Sequence, residues 1–116
     1  MKPNPVKDKS FNFAVRAIKL WKYLMDIKKE FILSKQLIRS GTSIWANIRE
    51  AQNAQSNADF IHKLSISQKE ADETLYWLEL LYETEYISVN EFQSIEKDIL
   101  EIIKLLCTII KISKSK

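Results

Sequence analysis

The residue types with most chemical reach in this sequence are a single histidine, His62, and a single cysteine, Cys107. A Cys–His nucleophile pair needs a thiolate held beside a base. Cys107 stands in the run Leu105-Leu106-Cys107-Thr108-Ile109-Ile110, which reads as a buried, inert thiol. Asp59-x-x-His62 resembles half of a bundle di-metal centre, but such a centre takes two Glu-x-x-His pairs and further inward carboxylates. His62 therefore reads as a surface residue near a helix start, and no metal set is assembled. One cysteine excludes an internal disulfide and a cysteine-based zinc site. One glycine, Gly41, excludes both G-x-G-x-x-G and G-x-x-x-x-G-K-[ST] phosphate loops. No catalytic residue and no cofactor is implied, and a non-enzymatic protein is expected.

A polar stripe is the pattern that remains. Gln36, Arg39, Ser43, Asn47 and Glu50 recur at spacings of three and four, with Ser40 beside Arg39. Ser67, Glu70, Glu73 and Thr74 form a matching set further along. Such a stripe can be a solvated face, a buried network that fixes helix register or subunit contact, or an active site. Without a poised base the structural network is the favoured role. Trp21, Trp45 and Trp77 could stack on nucleobases, but read as packing or subunit contacts.

Helices must position these residues, because a 116-residue chain with one glycine and two prolines lacks the turn residues of a sheet protein. The expected fold is all-α, a single antiparallel up-down-up-down four-helix bundle over 1–116. Its helices are predicted at about 9–28, 34–53, 57–84 and 89–112. Phe11, Ala14, Ile18, Trp21 and Met25 form one stripe of the first helix, with Phe13, Ala17, Leu20, Leu24 and Ile27 beside it. Asn4-Pro5 reads as a lead-in ahead of that helix. The second helix carries Leu37, Gly41, Ile44, Ile48 and Ala51, and Gly41 predicts a close backbone approach. The third, opened by Ser56 and Asp59, carries Phe60, Leu64, Ser67, Ala71, Thr74, Leu78 and Leu81. The fourth, opened by Ser88 and Glu91, carries Phe92, Ile95, Ile99, Ile102, Leu106 and Ile109. It also holds surplus apolar residues, Leu100, Ile103, Cys107 and Ile110, which predict a self-association surface.

Charge is segregated along the chain. Residues 1–40 carry ten Lys/Arg against three Asp/Glu, residues 41–101 carry four against twelve, and residues 102–116 carry four against none. Arg16, Lys19, Lys22 and Lys29 on the first helix, with Lys111, Lys114 and Lys116 in the tail, are the candidate phosphate contacts for RNA or DNA. Neither a signal-peptide core nor a run long enough to cross a bilayer is visible, so a soluble, cytoplasmic protein without a membrane partner is expected.

Gln36-Leu37-Ile38-Arg39-Ser40-Gly41-Thr42-Ser43-Ile44-Trp45-Ala46-Asn47-Ile48-Arg49-Glu50 resembles the Q-L-x-R-S-x-x-S-I-x-A-N-I-x-E signature of the bacterial four-helix-bundle family encoded in 23S rRNA intervening sequences. Ser67-Gln68-Lys69-Glu70-Ala71-Asp72-Glu73-Thr74-Leu75-Tyr76-Trp77-Leu78 is similar to that family's S-x-x-E-A-x-E-T-x-Y-W-L. Arg49 and Ala51 depart from it, standing where a small residue and a glycine are usual. The resemblance implies a homo-oligomeric bundle, typically a homopentamer, with no established catalysis. An older ribosomal-protein label suggests RNA as a partner. Related accessory proteins of diversity-generating retroelements imply nucleic acid and a reverse transcriptase as partners. A protein-interaction scaffold without a nucleic-acid ligand is the alternative.

Overall fold

The computed structural model describes residues 4–116, which form four α-helices and, among the described residues, no strand. They are α1 (Pro5–Asp26), α2 (Leu33–Ala51), α3 (Asn57–Glu83) and α4 (Val89–Lys114). Contacts join α1 to α2, α2 to α3, α3 to α4 and α4 to α1, without a diagonal pair. The helices thus stand at the corners of a square, as an up-down-up-down bundle 47 Å long. The α2–α3 seam is the most densely packed and the α1–α4 seam the sparsest.

Each helix begins where local chemistry serves its unpaired N–H groups. Asn4 caps α1, its side chain accepting from Lys7 N at 3.3 Å, and Pro5 is the first helical residue. The predicted start near Lys9 is thus too late: proline is tolerated at the first helical position, where its missing N–H would be unpaired anyway. Ser56 caps α3, and Ser88 with Glu91 forms a reciprocal capping box at α4. The start of α2 has no side-chain cap at Ile32. Glu30 serves it instead, accepting from Ile32 N at 3.2 Å, Leu33 N at 3.0 Å and Ser34 N at 2.7 Å. Burial pushes the Glu30 carboxyl up in pKa, but the N–H groups of Leu33, Ser34 and Ile32 together outweigh it and hold it below the usual range.

The core follows the predicted stripes of α2 and α3 closely. Leu37, Gly41, Ile44, Ile48 and Ala51 are all buried, as are Leu64, Ser67, Ala71, Thr74, Leu78 and Leu81, while Phe60 is half-buried. Gly41 sits where a Cβ would come 3.0 Å from Ala17 Cβ, so α1 and α2 do approach closely there. In α1 the buried residues come from both stripes, Ala14 from the first and Phe13, Ala17 and Leu24 from the second, with Val6 ahead of them, whereas Phe11 of the first and Ile27 of the second are exposed. In α4 the buried series runs Phe92, Ile95, Ile99, Ile102, Leu106, Ile110 and Ser113. Ile110 therefore belongs to the core, and Ile109 is only half-buried. The predicted stripe assumed a period of 3.5; at 3.6 the face drifts by about half a residue between Phe92 and Ile110, enough to bring Ile110 inward in place of Ile109.

Candidate functional site

The polar stripe is split by depth. At the rim, the Arg39 guanidinium spans from α2 to Glu70 at 3.5 Å and to Glu73 on α3, and Trp77 Nε1 donates to Glu73 at 3.4 Å. Glu50 pairs with Lys63 at 3.3 Å near the other end of the same seam. Ser43 and Asn47 do not reach across: Ser43 Oγ donates to Arg39 O at 2.7 Å, and Asn47 Nδ2 to Ser43 O at 2.8 Å. Gln36 takes part through its backbone carbonyl, which accepts from Ser40 Oγ.

The buried polar links lie one register inward. Thr74 Oγ1 donates to Ser40 Oγ at 2.8 Å, and Ser67 Oγ to Ile44 O at 2.8 Å, all four residues being shielded from water. The sequence places Ser40 beside Arg39 in the stripe, and Ser67 and Thr74 in the matching set on α3. Their small size at core positions is what separates them from the charged members at the rim. These links join α2 to α3 inside the core.

The candidate phosphate contacts fall into two separate groups. Arg16 is occupied, donating to Asp98 at 2.8 Å and Ser94 at 2.9 Å across the α1–α4 seam. One turn further, Lys19 lines an open cleft of about 230 Å³ with Leu20, Tyr23, Ile87 and Glu91. Lys22 and Lys29 continue toward the α1–α2 connection, and both are exposed. Lys111, Lys114 and Lys116 are exposed at the opposite end. Lys111 lies about 30 Å along α4 from Glu91, given 1.5 Å per residue. The first-helix and tail lysines are thus not one patch. Antiparallel packing returns the tail to the start of α1, whereas these α1 lysines sit near its finish. Lys7, which sequence reasoning passed over, is exposed on the first turn of α1 at the tail end.

Two side faces carry apolar surface. On the α3 side of α4, Leu100 and Cys107 are exposed and Ile103 half-buried. Gln68 Nε2 of α3 donates to the Cys107 Sγ. The thiol is therefore at the surface, contrary to the buried position expected from its neighbours: it occupies the outward side of an apolar helix. His62 is likewise exposed, and among the described residues no cluster of His, Cys, Asp and Glu could hold a metal ion. On the α1–α2 face, Phe11 meets Trp45 edge-on at 5.3 Å, and the Arg49 guanidinium lies 5.3 Å from the Trp45 ring centre. Trp45 Nε1 is buried without a hydrogen-bond partner. In a square bundle these two faces are opposite.

Helix order, the Arg39–Glu70/Glu73 bridge and the Ser40–Thr74 link place both motif segments against each other along one seam. Residues 2–108 match the family model for the 23S rRNA-intervening sequence protein. The chain belongs to that family. A solved structure from Bacteroides thetaiotaomicron, a protein of unknown function from the S23 ribosomal protein family, is 62% identical to it. The similarity covers 96% of this chain and 99% of that one, with a TM-score of 0.93. No curated protein matches the chain significantly. Among the described residues of this family member, no helix is long and apolar enough to cross a membrane.

Proposed function

We propose that this 23S rRNA-intervening sequence family member is a non-enzymatic homo-oligomer that binds nucleic acid through the end of the bundle where α1 starts and α4 finishes. The observation that carries the reading is the lysine cluster at that end. Lys7, Lys111, Lys114 and Lys116 are exposed, and α4 has no acid after Glu101. Asp8, Glu50 and Asp59 are the nearby acids, at the start of α1, the end of α2 and the start of α3, and Glu50 is paired with Lys63. One subunit offers few phosphate contacts, so binding by a lone copy would be weak. Assembly repeats the lysine set, and contacts along one strand then add.

The assembly itself is supported by the opposed apolar faces. Phe11 and Trp45 on one side, and Leu100, Ile103 and Cys107 on the other, suit a head-to-tail contact that closes into a ring. Five subunits is the number that the family resemblance implies. RNA is favoured over DNA by the family's rRNA association, and a reverse transcriptase is the protein partner that the resemblance implies.

Fluorescence anisotropy of labelled RNA and DNA oligonucleotides across a salt series tests the reading. Affinity should fall steeply with salt, because each neutralised phosphate releases counterions. Lys111→Glu/Lys114→Glu should weaken binding by about tenfold or more and flatten the salt slope. Lys19→Glu/Lys22→Glu should do much less. Absence of binding at low salt would leave the protein as an interaction scaffold.

A further inference from the structure

The end of the bundle opposite the proposed nucleic-acid surface carries its own device, and the argument for it is independent of that function. Exposed apolar side chains gather there. Of the ten large hydrophobics exposed among the described residues, five lie at this end: Tyr23, Ile27, Phe31, Ile32 and Val89. Ile27 and Ile32 are 67% and 78% exposed, although each follows or precedes a helix that could have turned it inward.

The charge of this end is divided. On the α1–α2 side stand Lys22, Lys28, Lys29 and Lys35, with Asp26 the one exposed acid. Glu30 is buried and spends its charge on the N–H groups that open α2. On the α3–α4 side, the chain from Asp72 to Glu96 contains no lysine or arginine. Glu83, Glu85 and Glu91 are exposed there.

Both turns are held rigidly. Tyr86 N donates to Leu81 O at 2.9 Å and Glu85 N to Tyr82 O at 3.0 Å, closing a tight helix stop. Glu30 N donates back to Leu24 O at 2.9 Å. The residues at positive φ in these stops are Lys29 at 55° and Glu85 at 68°, positions where glycine is the usual occupant. Each apex thus presents a charged side chain of its own half's sign on a strained backbone, a pattern associated with working surfaces.

We infer that this end face docks onto the same face of a second copy of the chain. A two-fold axis lying in the end plane turns the lysine half of one copy over the glutamate half of the other, and repeats the contact on the far side of the axis. Ile27, Phe31, Ile32 and Val89 are covered in the middle, while Lys28 and Lys29 meet Glu83 and Glu85 at the rim. An anionic bilayer fits less well, because the α3–α4 glutamates stand at the same level as the lysines and would be repelled. The contact reassigns Lys29 from phosphate binding to self-recognition. If side-face rings form, it stacks them in pairs through a surface that the rings leave open.

Charge exchange tests this with folded protein, since every altered side chain is exposed. Lys28→Glu/Lys29→Glu makes both halves acidic, and Glu83→Lys/Glu85→Lys makes both basic. Sedimentation at low salt should give wild-type particles twice the mass of either variant, collapsing to the variant mass as salt rises. Each variant should lose self-association by more than about tenfold. Mixing the two variants under different fluorescent labels should restore the doubled particle as a mixed one. Equal masses for wild type and variants at every salt concentration, with no mixed particle, would overturn the inference. Co-sedimentation of wild type with anionic vesicles alongside equal masses would hand the face to a membrane instead.

Discussion

At the scale of single residues, Glu30 serves the fold from outside the polar stripe. Its carboxylate serves three N–H groups that would otherwise face the start of α2 unpaired, and Ser34 Oγ returns a hydrogen bond to Glu30 O at 2.7 Å. Ser34 is fully buried, so its N–H has no water to turn to once the carboxylate is gone. Glu30→Ala should lower stability by about 1–3 kcal/mol, read by chemical denaturation. The pH dependence follows from the same contact. The carboxyl's pKa is lower in the folded protein than its ordinary 4.5, so its stabilisation is complete above that pH. It is lost as pH falls below 4.5 toward the folded value. Wild type should therefore lose stability through that acid window, and Glu30→Ala should lose visibly less. Identical acid limbs for the two proteins would contradict the capping role.

At the scale of helices, Gly41 sets how near α1 and α2 can lie. A Cβ at that position would meet the Cβ of Ala17, which is itself buried on a neighbouring helix and has no flexible end to yield. Gly41→Ala gains about 1 kcal/mol of helix propensity, yet must push two helices apart. The balance should be a net loss of about 1 kcal/mol or more, and Gly41→Val should cost several-fold more. A melting temperature raised by Gly41→Ala would show that the seam is looser than its geometry indicates.

The legibility of the helices had a physical basis. α2 and α3 read correctly because both have dense seams on two sides, so burial enforces their period at every turn. α1 and α4 each border the sparse seam and carry apolar residues on more than one side, so periodicity alone did not choose between Phe11 and Phe13, or between Ile109 and Ile110. The Ser56 cap and the Ser88 capping box were visible as local spacing. Glu30 was not, because it caps from outside the helix, beyond the position a capping rule inspects. Ser40 and Thr74 stood among the polar residues of the two stripes, but which members link the helices depends on which of two adjacent stripes faces the neighbour, and spacing leaves that choice open.

At the scale of the whole molecule, opposed apolar faces make a distinctive demand: a contact that joins unlike surfaces cannot be completed by a copy that lacks either one. Phe11→Glu should spoil the α1–α2 face and Leu100→Glu the α3–α4 face. In high salt, which would suppress the proposed end-face contact, each variant alone should sediment as a 13.6 kDa monomer. Mixed, they should form a mixed dimer and nothing larger, because a single intact junction remains between them. A mixture that stays monomeric would exclude head-to-tail assembly.

The sparse α1–α4 seam also says something about time. α2 and α3 are sequence neighbours with the densest contact, and α1 and α4 each add to a helix next to them in the chain. The α1–α4 closure alone spans almost the whole sequence, as in Lys9 to Glu101, which are 92 residues apart. Long-range closure costs chain entropy before any contact repays it, and here the repayment is least. The first and last helices should therefore meet late in folding and part early in native-state fluctuations. What latches them is ionic at Arg16–Asp98 and Lys9–Glu101, both partly open to solvent. Dissolved salt screens such pairs, so the breathing of this bundle should quicken with ionic strength while its α2–α3 centre stays shut.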